Sequence, residues 1–337
     1  MMQPSRGTHR RIPLRALAIC FIVAGLACAA IPRARAADAE PYPSRPLRIV
    51  VPTAPGPGDV AARYFGRRLS EALGQPVTIE NRPGASYNIA SELVAKAPAD
   101  GYTLLYTGSV VTLLPSVLGQ VAVDPVAAFA PVIKLLDVPL VIVVNPALGV
   151  RTLGELLALA AKRPGQIAYA TPGVGTVPHL SATMIAQRAG VDLLHVPYVN
   201  VGQALKDTLS GEVPVYLNFL VTLEAHIKSG ALRPLAAAST RRLHALPDVP
   251  SLAELGFKDA AFDPWLGIFV PRGTPREIVE RLNREFAKIL LQADTREQLA
   301  AFGMEPLGST PERFGADVRE AVARWPAIVR AAGIRRE

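Results

Sequence analysis

The chain has 337 residues, with 36 Lys and Arg against 28 Asp and Glu, and two cysteines. Six of the basic residues and no acid precede position 37, which leaves 30 against 28 and excludes the strongly basic surface of a nucleic-acid-binding protein. Cys20 and Cys28 lie in the same segment, so the remainder has neither a disulfide nor a thiol nucleophile and must hold together by core burial, and a length of about 300 residues predicts two lobes.

Residues 1–15 carry Arg6, Arg10, Arg11 and Arg15, residues 16–31 are nearly all apolar, and "ARA" at 34–36 precedes Ala37. This pattern predicts a secretory signal peptide cut after Ala36 and a periplasmic mature protein. The competing membrane anchor is disfavoured because the apolar run, about 16 residues, is shorter than the ~20 that span a bilayer and ends at Pro32. Arg10-Arg11 leaves the general and twin-arginine export routes both open, and Gly25 stands against lipidation of Cys28.

Beyond residue 37, short β-branched runs alternate with amphipathic segments. "LRIVV" leads to a helix with Ala61, Phe65, Leu69, Ala72 and Leu73 on one face, stopped at Gly74. "PVTIEN" leads through "RPGASYN" to "IASELVAKA", and "YTLLYTG" is a third strand. "VPLVIVVN" is a continuous apolar run up to its closing Asn145, as for a strand buried on both faces. "TLGELLALAAK" opens with a capping box of Thr152 and Glu155. "IAYAT", a helix near 177–189, "DLLHVPY", "GQALKDTLS", "VPVYLNF" and "LRPLAAAS" continue the alternation, which predicts parallel βαβ units and an open α/β sheet in each lobe. The C-terminal part is helical. "TPREIVERLNREFAKILLQ" opens with Thr274, Pro275 and Glu277 as a second capping box, and the last helix follows Thr310-Pro311.

Two stretches share a plan of strand, Pro/Gly loop and helix start: "IVVPTAPGPGDVAARYFGRRL" at 49–69 and "IAYATPGVGTVPHLSATMI" at 167–185. Each loop either turns a corner or offers backbone amides to an anion at a helix N-terminus. A pair of them, one per half, suits a cleft beyond the carboxyl ends of the strands.

Enzymatic readings find no specific support. Gly56, Gly58 and Ala61 mimic a dinucleotide fingerprint, with Glu80 after the next strand, but Pro57 removes an amide and Asp59 puts a negative charge where pyrophosphate would sit. There is no phosphate-binding G-x-x-x-x-G-K-[ST] and no nucleophile elbow. His179, His195, His226 and His244 are too scattered for a metal motif, and acids such as Glu277, Glu280 and Glu285 read as solvated helix faces.

The motifs "YPSRPLRIVVP", "IENRPGASYNIA", "ADGYTLLYTG", "IAYATPGVGTVPHLSA", "HVPY", "HIKSGALRPLA", "LPDVPSLAELG" and "AAGI", in this order from about residue 42 onward, resemble the Bug family, the substrate-binding proteins of tripartite tricarboxylate transporters. The resemblance implies an α/β, two-lobed periplasmic-binding-protein type II (Venus flytrap) fold with two hinge strands. Lobe 1 would comprise residues 37–140 and 262–337, and lobe 2 residues 141–261. It implies a monomer that captures a small carboxylate or related organic acid and delivers it to the membrane permease subunits of the transporter, with no cofactor and no catalysis. In lobe 1, Ala54, Pro55 and Gly56 would offer amides, Tyr87 and Asn88 would approach the cleft, and Thr107, Gly108 and Ser109 would add amides and hydroxyls. In lobe 2, Gly175 and Thr176 would face the ligand, with Tyr198 and Asn218 lining the wall. A sensing protein that feeds a membrane receptor kinase would share all of these residues, and an exported enzyme would differ by turning its ligand over.

This sequence departs from the family pattern. Pro57 replaces a glycine, Ser86-Tyr87 stand where two glycines are usual, Val199-Asn200 replace a Lys-Gly pair, and Asn218 replaces an acid. Tyr87 and Val199 therefore suggest a more apolar pocket. Asp59 reads as a helix cap or a ligand contact, His179 as a partner of a neighbouring loop, His195 as a buried residue with a backbone partner, and Trp265 as core or cleft aromatic.

Overall fold

The computed structural model describes residues 42–55, 59–84, 87–119 and 121–334. The export segment with its cut after Ala36, Gly56 and Pro57 of the first loop, and Ala85-Ser86 lie outside them.

The chain builds β1 (Leu47–Val51), α1 (Val60–Leu73), β2 (Val77–Asn81), α2 (Asn88–Ala95), β3 (Thr103–Gly108), α3 (Val110–Val117), a short α4 (Pro125–Ala128) and β4 (Phe129–Asp137). It then crosses to β5 (Leu140–Val144), α5 (Leu153–Lys162), β6 (Ala168–Thr171), α6 (Val177–Ala189), β7 (Leu194–Pro197), α7 (Val201–Ser210), β8 (Val215–Phe219), α8 (Leu220–Lys228) and β9 (Arg233–Ala237). It returns through β10 (Trp265–Pro271), α9 (Arg276–Leu291), α10 (Ala293–Ala301), β11 (Glu305–Pro306) and α11 (Pro311–Ala331). The first sheet has the order β11-β4-β10-β3-β1-β2 and the second β7-β6-β8-β5-β9.

Local signals act as the sequence dictates at several ends. Gly74 caps α1 in the left-handed region, Thr152 accepts from the Glu155 amide, and Thr310 accepts from the Arg313 amide behind Pro311. All five residues of β5 are buried. The second capping box does not form. Thr274 donates its hydroxyl to the Pro271 carbonyl at 2.8 Å, and α9 begins behind Pro275 without a side-chain cap. A threonine hydroxyl can close a local turn as readily as cap a helix, and here the turn after β10 wins.

The sheets are mixed, not all parallel. β1, β2 and β3 run parallel, as do β6, β7 and β8, but β10 is antiparallel to β3 and β4, and β5 is antiparallel to β8 and β9. The strands that break the pattern adjoin the crossings between sheets, so their direction is set by the crossing and not by a crossover helix. The crossings lie side by side. Val138 donates to the Pro264 carbonyl (2.8 Å), Ala238 to that of Leu140 (2.8 Å) and Phe262 to that of Ala238 (3.0 Å). α11 joins both cores: Phe314 and Val318 pack with β3 and β10, while Trp325, Ile328 and Val329 pack with β5, β8 and α6. Trp325 Nε1 donates to Thr112 Oγ1 of α3 at 2.9 Å.

A charged cluster fastens the crossings. Arg241, just past β9, bonds Asp137 at the end of β4 (2.7 Å) and Glu305 of β11 (3.1 Å). Burial, then the Asp263 carboxylate, push the Asp137 pKa from 3.8 up to about 6 against the pull of Arg241. The ionised Asp137 therefore costs stability above about pH 6, and the cost is relieved as pH falls toward 3.8. In an Arg241→Leu variant the carboxyl takes a proton instead of staying charged and unpaired. The loss from Asp137 is then about 1.4 kcal/mol per pH unit above 6 and vanishes below it. The lost bonds to Glu305 add about 1 kcal/mol at every pH. Urea denaturation of both proteins between about pH 5 and pH 8 measures this, and a pH-independent difference would refute it.

Candidate functional site

Each sheet presents a set of loops at the carboxyl ends of its parallel strands. In the first sheet, Val51 is followed by Pro52, Thr53 and the exposed Ala54 and Pro55, before α1 begins at Val60. Asp59 occupies the N-cap position without capping. Its buried carboxylate instead binds Arg63 (2.7 Å) and accepts from Asn81 Nδ2 at the end of β2 (3.0 Å), while the same Nδ2 donates to the Thr53 carbonyl (2.9 Å). The loop after β1 is thus tied to β2 by side chains, and Asp59 belongs to that tie.

Tyr87 enters α2 at φ 72°, the one non-glycine among the described residues with a left-handed backbone. Such a conformation costs on the order of 1 kcal/mol or more and persists where the surroundings impose it. Asn88 follows as the first residue of α2. Thr107 is buried at the end of β3, and Gly108 packs against the Trp265 carbonyl, which a Cβ would approach to 3.2 Å. The Ser109 amide donates to that same carbonyl at 2.9 Å, so it is committed to β10 in this structure. Trp265 itself is core: 6% exposed, edge-on to Phe314 at 4.8 Å.

Three buried hydroxyls in this region have no hydrogen-bond partner among the described residues: Thr53 Oγ1, Tyr106 Oη and Thr107 Oγ1. Burial, then the nearby Asp59 charge, hold the Tyr106 phenol far above its ordinary pKa, so it stays a neutral donor. No spacing or motif signals this trio, since the orphaning depends on what packs above the ends of β1 and β3.

In the second sheet, β6 ends at Thr171 and the turn to α6 carries Gly173 at φ 139° and Gly175 at φ 74°. Thr176 Oγ1 donates to the Gly173 carbonyl at 2.7 Å. The Gly175 amide donates to His179 Nδ1 at 3.1 Å, so His179 does bond the neighbouring loop. His195 is half-buried and its partner is a side chain, Thr171 Oγ1 at 2.7 Å, not the backbone. The Thr171 hydroxyl sits two residues along the same strand face as Tyr169 and reaches across to β7, a pairing set by sheet register.

Tyr198 donates its backbone amide to Thr171 O (3.0 Å) and its hydroxyl to Asp207 of α7 (2.7 Å). Burial and that carboxylate push its pKa up to about 12. Asn218, 1% exposed on β8, donates to the Tyr216 hydroxyl at 2.7 Å. The two sets of loops are linked directly: a Cβ on Gly175 would lie 2.9 Å from Val117, at the end of the helix that follows Ser109.

The loops carry apolar rims. Val60, Ile89, Val174, Val199 and Val221 are exposed at the starts of helices or in turns after β1, β2, β6, β7 and β8, five of the nine large apolar side chains exposed among the described residues. A cavity of ≈ 340 Å³ lies at the opposite, amino ends of β1 to β3. Its arginines, Arg45 and Arg48, are paired with Asp100 and Glu80, so it offers no free cation to an anionic ligand. Among the described residues no group of His, Cys, Asp and Glu could hold a metal ion, and no helix is long and apolar enough to cross a membrane.

Comparison with known proteins matches the model of the tripartite tricarboxylate transporter family receptor over residues 61–334. Protein BugT of Bordetella pertussis is 37% identical over 303 residues, 88% of this chain and 92% of that protein. R. palustris Rpa4515, solved with adipate, is 34% identical with a TM-score of 0.77, covering 88% of this chain and 100% of that one. MatC of Rhodopseudomonas palustris, solved with bound malate, is 29% identical with a TM-score of 0.70, covering 86% and 100%.

Proposed function

The chain belongs to the tripartite tricarboxylate transporter receptor family, and from that premise we propose that it captures a small carboxylate between two lobes and hands it to a membrane permease without chemical change. In this reading residues 37–140 and 262–337 form one lobe and 141–261 the other, and the segment 1–36 exports the chain to the periplasm. Ala54, Pro55, Gly56, Tyr87, Asn88, Thr107, Gly108 and Ser109 contact the ligand from the first lobe. Gly175, Thr176, Tyr198 and Asn218 contact it from the second. A ligand bridging both sets stabilises the closed state by its greater affinity for that state.

The observation that carries the proposal is the trio of orphaned hydroxyls, Thr53, Tyr106 and Thr107, at the strand ends where a ligand would dock. A buried donor without a partner costs about 1–3 kcal/mol, a cost that an accepting carboxylate removes. The exposed valines and Ile89 on the rims favour a ligand with a hydrocarbon body over a polyhydroxylated one. Relatives at 34% and 29% identity were solved with adipate and malate, both carboxylates.

A thermal-shift panel of adipate, benzoate, malate and citrate tests this. Adipate or benzoate is expected to raise the melting temperature most. At a concentration about 100 times Kd, one bound ligand adds about 2.7 kcal/mol. Stabilisation by citrate alone would overturn the apolar reading, and stabilisation by none of the four would overturn the carboxylate reading.

A further inference from the structure

The turn between β6 and α6 rests on a column of three rings. His179, in the first turn of α6, lies flat on His195 of β7, with ring centroids 4.0 Å apart and planes 12° apart. His195 lies in turn on Tyr169 of β6 at 4.9 Å. The polar edges of the imidazoles are engaged: His179 Nδ1 accepts from the Gly175 amide, and His195 Nε2 meets Thr171 Oγ1. A ring nitrogen that accepts an amide proton carries none of its own, so His179 is neutral with its proton on Nε2. We propose that His179 is the positioning residue of this turn: its Nδ1 clamps the Gly175 amide, which holds Gly173 and Gly175 in their left-handed conformations and aims the rest of the turn at the ligand, while His195 and Thr171 hold the ring in place.

The proposal rests on the ligand-binding reading above and extends it from the turn to the side chains that shape it. Burial lowers the pKa of His179, and burial with the neighbouring His179 lowers that of His195 to about 4. Neither ring is in an ion pair among the described residues. The titratable groups facing the column are the two histidines themselves and Tyr169, whose phenol burial holds above its ordinary pKa and therefore neutral. From the other elements packed near α6, the Ala260 carbonyl meets Ser181, the Ala331 carbonyl meets Gln187, and Val117 lies against Gly175, none of them charged. The clamp is therefore intact at neutral pH. In acid a proton on Nδ1 turns the acceptor into a donor and releases Gly175.

The test pairs the unmodified protein with two variants. Nitrogen-15 chemical shifts of the His179 ring report its tautomer, amide hydrogen exchange reports Gly175, and calorimetric titration with the six-carbon dicarboxylate of the panel reports affinity. The wild type should show an unprotonated Nδ1 at neutral pH. His179→Leu should speed Gly175 exchange and weaken binding about tenfold, the cost of an amide left without its acceptor. His179→Asn, whose Oδ1 accepts but does not titrate, should stay within about threefold and lack the loss of affinity that the wild type shows on acidification below the ordinary imidazole range. A protonated Nδ1 at neutral pH overturns the proposal, and so does a folded Leu variant with unchanged exchange and affinity. If the Leu variant does not fold, the wild-type ring shift still decides. If the wild type binds no member of the panel, the ligand reading fails separately, and the ring shift and Gly175 exchange judge the clamp.

Discussion

Gly175→Val is expected to weaken carboxylate binding by about 30- to 100-fold while leaving a folded protein. Gly175 sits at φ 74°, where a β-branched residue is a genuine outlier. Its new Cβ would also lie 2.9 Å from Val117 Cγ1. The strain is on the order of 2–3 kcal/mol, and it can be released only by turning the loop out of the left-handed region, away from His179 Nδ1. Because the strain is confined to this turn and its release leaves β6 and α6 intact, the loss appears mainly in affinity and only secondarily in melting temperature. Gly175→Ala should show the same direction at smaller size. Isothermal titration with the panel member that most stabilises the wild type measures both, and a folded Val variant of unchanged affinity would reduce the turn to a corner.

The parts of the fold legible in the sequence were those decided within a few residues. Thr152 and Thr310 cap, Gly74 stops α1, and the run "LVIVV" is buried throughout, because helix ends and two-sided burial have local causes. Strand direction was not local. β5 and β10 run against their neighbours because the chain arrives from the other sheet, a fact that no spacing encodes. At the candidate site the Pro/Gly loops were visible, but their hydrogen-bond economy was not. The Ser109 amide is taken by Trp265, 156 residues later, and Thr171 finds His195 through strand register. His179 was legible because its partner lies four residues away. Arg241 reads as an ordinary loop cation until the fold brings Asp137 and Glu305 to it.

Gly267→Ala should be the more damaging substitution for the molecule as a whole, with a loss of about 3 kcal/mol or more in stability. Gly267 lies in β10, the strand that enters the first sheet directly from the crossing at Pro264 and pairs with both β3 and β4. An added Cβ would stand 2.5 Å from Phe314 Cζ, 2.8 Å from its Cε1 and 2.9 Å from the Ile133 carbonyl. None of these can yield cheaply. Phe314 is fully buried and packed on Trp265 and Phe269 at 4.8 Å, and the Ile133 carbonyl is sheet backbone. Overpacking a closed core costs about 1–3 kcal/mol where side chains can adjust, so a site bounded by a fixed ring and a backbone oxygen lies at or beyond the upper limit. At about 2–4 °C per kcal/mol for a domain of this size, the melting temperature should fall by roughly 6–12 °C. The damage should also reach the ligand loops. Trp265 O holds the Ser109 amide, and a shift of β10 away from Phe314 would drag the Thr107–Ser109 turn with it. Affinity should therefore fall together with stability, unlike the Gly175→Val case, and Phe314→Leu in the same chain should restore part of both by opening room for the methyl group. A Gly267→Ala protein that melts within about a degree of the wild type would mean that β10 can slide, and that the crossing at Pro264 is looser than its hydrogen bonds imply.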